Sequence, residues 1–153
     1  MALKRQNIVT AIKTRLQLIN GAASYYLNVS PNVYIQRDTL FESWNDRELP
    51  GINIVDGDEE PGQELLSGSV NVWYRDLNVA VQLVTNSALA DTLVRKGIAD
   101  IQRAIGTDLT WGGLAIDTDW VNTTIERDQQ EQRIMSATVN IKISYSTTQW
   151  SEE

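Results

Sequence analysis

The chain contains no cysteine and no histidine. Without cysteine there is no disulfide, no thiolate nucleophile and no zinc-thiolate site. Without histidine the commonest metal ligand and the commonest general base are both missing, so a nucleophile–histidine pair is excluded. Basic residues are also scarce, 13 against 20 acidic ones, giving a formal net charge of −7. That balance disfavours non-specific attraction to nucleic acid or anionic lipid. No run approaches the roughly 18 apolar residues of a membrane helix. The first twenty residues carry Lys4, Arg5, Lys13 and Arg15 without an unbroken apolar stretch, unlike a signal peptide. No glycine-rich phosphate loop occurs; Lys96-Gly97 stands inside a helical pattern without the required glycine spacing.

What is present describes a soluble, folded protein of 153 residues, long enough for one domain spanning 1–153 with a real core. Its expected compartment is a cytoplasm or an assembly built in one. Hydrophobic residues make up 42% and charged residues 22%, a globular composition.

Ile8, Ile12, Leu16 and Ile19 recur at helical spacing and predict an amphipathic helix over Leu3–Asn20, with Gly21 as its left-handed terminator. Short strands are expected at Tyr25–Val29 and Val33–Arg37, separated by the turn Ser30-Pro31-Asn32. Asp38 is a candidate cap for a short helical turn. Another strand is expected at Ile52–Asp56, followed by an acidic loop from Gly57 to Gly68.

The run Ser69–Val84 is the most informative. Val70, Val72 and Tyr74 alternate on one face. Leu77, Val79, Val81 and Leu83 alternate in the opposite phase, which predicts a bulge at Arg75-Asp76. A strand of that length spans roughly 50 Å, more than the roughly 30 Å of a compact domain this size. It must bend or project, and a projecting ribbon seeks a partner for its edge.

A second helix is predicted over Ala88–Ile105, with Ser87 as N-cap and Gly106 as its end. Thr118–Arg127 and Met135–Thr147 read as a hairpin with the polar tip Asp128, Gln129, Gln130 and Glu131. The fold class is therefore α+β: a largely antiparallel sheet, two main helices packed on one face, and a long projecting β ribbon.

The one constellation with chemical interest is Asp56, Asp58, Glu59, Glu60 and Glu64. It begins like a calcium loop, but Pro61 stands where that loop needs glycine and Ser67 where it needs the bidentate glutamate. A solvated loop is the plainer reading. Yet no basic residue lies between Arg47 and Arg75, so nearly all of the chain's charge imbalance falls there. Five tryptophans accompany one phenylalanine. Trp73, Trp111 and Trp120 are expected in or beside the core, whereas Trp150, in a polar tail, either anchors a partner or folds back.

The stretch Ala90–Ile101, followed by Leu109-Thr110-Trp111-Gly112-Gly113-Leu114-Ala115, resembles the tail terminator proteins of tailed bacteriophages. Their helix precedes a Leu-Thr-Leu-Gly-Gly type turn and a closing hairpin; Trp111 here replaces an aliphatic residue. Asn78–Leu83 is similar to the family's long central strand, Ala137–Tyr145 to its last strand, and the opening helix also fits. The resemblance implies a virion structural protein with no catalytic residues and no cofactor or metal. It implies a ring, typically hexameric, on the tail tube that ends tube polymerisation and offers a surface to head-completion or stopper proteins at the neck. It also implies assembly in the host cytoplasm, DNA passing through the lumen, and no membrane partner.

On that reading the acidic residues Asp56 to Glu64 are candidates to line the central opening. Arg75, Asp76, Asp128, Gln129, Gln130, Glu131 and Trp150 are candidates for subunit or partner contacts. Other phage neck or tail proteins, such as a stopper, a tail completion protein or a tube subunit, are alternatives. So are a small cytoplasmic ligand-binding module and a carboxylate hydrolase.

Overall fold

In the computed structural model, residues 3–22, 24–37, 44–62, 72–86, 90–127 and 134–151 are described. Ser87, Asp38, Glu64 and the tip Asp128 to Glu131 lie outside them. The elements run α1 (Lys4–Leu16), β1 (Val33–Ile35), a short 3-10 turn (Asp46–Glu48), β2 (Gly51–Pro61), β3 (Val72–Asn86), α2 (Ala90–Gly106), β4 (Asp117–Arg127) and β5 (Ile134–Thr148). The strands form one sheet in the order β1-β2-β3-β5-β4. Among the described residues only β1 and β2 pair in parallel; the remaining pairs are antiparallel. Two helices on a mostly antiparallel sheet make this an α+β fold.

The apolar stripe of α1, Ile8, Val9, Ile12 and Leu16, is buried, and Lys13 and Arg15 in its last turn suit the helix dipole. The helix stops at Leu16, not at Asn20. Ile19 stays in the core at 1% exposure, but its carbonyl accepts the amide of Val29, and Asn20 bridges Asn28. A backbone partner from the following segment thus replaces the last helical turn. Gly21 does take a positive φ of 76°, within that connection and not at the helix end. Tyr25–Val29 contributes only the isolated bridge, and β1 stops at Ile35.

Along α2, Val94, Ile101, Ala104 and Ile105 face the sheet. Gly97 lies where a Cβ would stand 2.2 Å from Leu83 Cδ2, so the glycine sets the close approach of α2 to β3. Asp100 is 1% exposed and accepts the amides of Tyr26 and Leu27, tying the connection after α1 onto α2.

Strands β3 and β5 pair without a register shift from Val72↔Thr148 to Asn86↔Ile134. The bulge expected at Arg75-Asp76 is absent. It lies instead on β2, where Asp56 faces Val79 and Glu59 faces Leu77, leaving Gly57 and Asp58 opposite Asn78. The apolar phase change in β3 therefore records a change of face by the apolar residues, not a backbone defect. At 15 residues β3 measures roughly 50 Å, against roughly 25 Å for the 17-residue α2. The helices cover Leu77 to Leu83; beyond them the strand runs on as Val72–Asp76. Both edges of β3 are nonetheless paired, so it is the spine of the sheet rather than a ribbon with a free edge.

On the face away from the helices, Trp44 covers Val84 and Ile134, helped by Tyr34 and Leu49. Arg37 stacks on Tyr34 and Trp44 and pairs with Glu48.

Candidate functional site

The far end of the sheet, beyond the helices, gathers most of the residues singled out from sequence. The strand β2 carries the acidic residues to Pro61, so the expected loop from Gly57 is strand for its first five positions. The bulge then matters electrostatically. Asp56 and Glu59 would point to opposite faces of a regular strand; the extra residue puts both on the helix side, in register with Val79 and Leu77.

Both carboxylates meet cations there. Arg5, in the first turn of α1, lies 2.9 Å from Asp56 and also donates to the carbonyl of Gly57. Gln36 donates to the other oxygen of Asp56 at 2.7 Å. Burial pushes the Asp56 carboxyl up, but the bonds from Gln36 and Arg5 outweigh it and hold the group below its ordinary value. Glu59 lies 3.0 Å from Arg75 and accepts the hydroxyl of Tyr145, which is fully buried. Asp58 and Glu60 remain exposed. The four described acidic residues of β2 are thus divided, Asp56 and Glu59 paired inward and Asp58 and Glu60 facing solvent. Among the described residues, no three carboxylates converge as a metal site would require.

The expected contact residues separate in the same way. Arg75 also donates to the carbonyl of Ser151 at 2.9 Å, pinning the tail. Asp76, on the other face, accepts from Ser144 at 2.7 Å and lies 4.0 Å from Lys142. Trp150 is 88% exposed with its φ at 58°, and its ring meets Trp73 edge-on at 4.5 Å. It both contacts its own domain and presents most of its surface outward. Lys4 donates to the carbonyl of Ser146, bringing α1 to the same end. A surface groove of about 430 Å³ runs here between Pro61, Gly62, Val72, Trp73 and Tyr74.

A second region was missed from sequence. Trp120, expected beside the core, is 63% exposed. It belongs to β4, the last strand of the sheet order, where a shift between Trp120 and Asn122 inserts Val121. Leu109, Ile116, Val121 and Ile125 are exposed around it. A groove of about 330 Å³ runs beside them along α2. The strand Thr118–Arg127 was legible; its position at the sheet's edge was not.

The Leu109–Ala115 turn is built on Asp108. Its carboxylate accepts from the Thr110 hydroxyl and amide and from the Gly112 amide. These bonds, the Thr110 hydroxyl first, and nearby Arg15 lower it to about 2. The turn seats Trp111, 2% exposed, whose indole N–H donates to Thr118, while Arg15 stacks 4.3 Å from its ring.

The sequence matches no family model and no curated protein. Among solved structures the fold is similar to a chain in the virion of a native gene transfer agent particle. The TM-score is 0.50 at 10% identity, and the match covers 92% of this chain and 95% of that one. At that identity the likeness is one of fold.

Proposed function

We propose that this chain is a structural protein of a phage-like virion, a tail terminator that forms a closed, six-membered ring on the tail tube. The observation that carries the reading is the fold likeness, nearly end to end in both chains, to a component of a virion particle. The turn Leu109-Thr110-Trp111-Gly112-Gly113 before the closing hairpin adds to it, as does a composition without histidine or cysteine.

The mechanism is selective capping. A tube subunit is complementary head to tail, and such assembly does not stop by itself. A terminator matches the tube on one face and mismatches it on the other, offering that second face to the head-completion proteins. Asp58 and Glu60, the exposed acidic residues of β2, line the opening in this reading and keep DNA phosphates from adhering. Trp150 and Arg75 lie at the same end, where a neighbour or tube subunit docks.

Native mass spectrometry and electron microscopy of the purified protein test this. Discrete rings are expected. Long polymers would make it a tube subunit, and a monomer at assembly concentrations would overturn the ring. An acidic end on the outer rim of such a ring would remove the lumen assignment.

A further inference from the structure

We propose that the outer edge of β4 binds an extended segment of a partner protein, one in which apolar and basic residues alternate. This goes beyond the capping reading and does not depend on it.

The surface is built for strand addition. Among the described residues no strand pairs with the outer edge of β4 (Asp117–Arg127), so its backbone is open to an incoming strand. Among the described residues, five of the nine exposed large hydrophobic ones lie on or beside this strand: Leu109, Ile116, Trp120, Val121 and Ile125. The Trp120 indole N–H donates to Thr123 at 2.9 Å, which ties the ring to its own strand. The adjoining groove has a floor of Ile105, Leu109, Val139 and Ile141.

Register fixes which side chains the guest needs. Trp120 pairs with Ile141, and Ile125 with Ala137, both on the helix side. A guest strand lays alternate apolar residues there. On the opposite face β4 presents Asp117, Asp119 and Glu126, all exposed. The register partner of Asp119 is Lys142, which reaches to 4.0 Å from Asp76. The guest's intervening residues therefore meet carboxylates, and basic side chains suit them.

The same charges argue against a second copy as the guest. Among the described residues, β1 is the sheet's other edge strand but has only three residues, and the longer open stretch, β2 beyond its pairing with β1, carries Asp58 and Glu60 and would set like charges against Asp117, Asp119 and Glu126. Antiparallel self-pairing of β4 that sets Trp120 on Ile125 also sets Asp119 on Glu126.

The test uses the full chain and two synthetic peptides, one alternating lysine with valine and one alternating glutamate with valine. The lysine–valine peptide is expected to slow amide exchange across β4 by about tenfold or more, and the glutamate–valine peptide to leave it unchanged. Ile125→Lys should weaken binding at least tenfold. The double variant Asp119→Lys, Glu126→Lys should transfer the protection to the glutamate–valine peptide. Equal protection by both peptides, protection elsewhere, or a β4 already protected in the purified chain's own oligomer would each overturn the proposal. Oligomeric state, read on the same sample by native mass spectrometry, reports on the ring separately, because loss of the ring leaves the peptide readout intact.

Discussion

Arg75 reaches Glu59 across adjoining strands at 3.0 Å, and both side chains are largely withdrawn from solvent. The bulge at Gly57-Asp58 makes the meeting possible by turning Glu59 to the helix side. The same guanidinium holds the carbonyl of Ser151. One side chain therefore couples the acidic end of β2 to the tail that carries Trp150.

Arg75→Ala leaves Glu59 with the Tyr145 hydroxyl and removes one anchor of the tail, the Trp150–Trp73 ring contact remaining. A charge-assisted hydrogen bond of this kind contributes about 2 kcal/mol. The urea midpoint should fall accordingly, and proteolysis of the tail should quicken. An unchanged midpoint would mean that the pair contributes nothing net. Arg75→Lys should restore the charge but not both bonds, giving an intermediate value.

Asp100 is the most buried carboxylate among the described residues, and its oxygens serve two backbone amides. Asp100→Ala strands both N–H groups and should cost about 3 kcal/mol. Asp100→Asn keeps an acceptor oxygen and should cost less. Amide exchange at Tyr26 and Leu27 should accelerate more than the global loss of stability explains. Equal acceleration everywhere would show that the contact is not local.

Asp108 supplies the pH dependence. Its folded value, about 2, lies below the ordinary 3.8. A depressed carboxylate adds stability that is present above the ordinary value and is lost as pH falls through the folded one. The wild type should therefore lose stability relative to Asp108→Asn as the pH drops from about 4 to about 2. Denaturant midpoints of the two proteins across that range measure it. A gap that stays constant would show that Asp108 titrates normally.

Both helices were legible because their core contacts recur every three or four residues, and β5 because Val139, Ile141, Ile143 and Tyr145 alternate with polar residues. The far half of β2 was not. Asp56, Glu59 and Glu60 look like a solvated loop until Arg5 and Arg75, 51 and 16 residues away, are seen against the first two. Those partners are set by topology, and no local pattern announces them. The bulge was assigned to the wrong strand for a related reason. A phase change in hydrophobicity shows that the apolar residues change face, and Val72 and Tyr74 lie with Asp76 on the face away from the helices. Trp120 misled in the other direction: it stands in a predicted strand, and only the sheet order reveals an edge. Gly97 gave no local signal, since its role depends on Leu83 across the core.

The sheet order also has a consequence for biosynthesis. The strand β5 follows β4 in the chain yet lies between β3 and β4. Until it leaves the ribosome, β3 lacks one neighbour and β4 has no place to join. Nascent chains stalled before Ile134 should keep their apolar strands available to chaperones, and the domain should close late, in a single step, when the inner strand is threaded home.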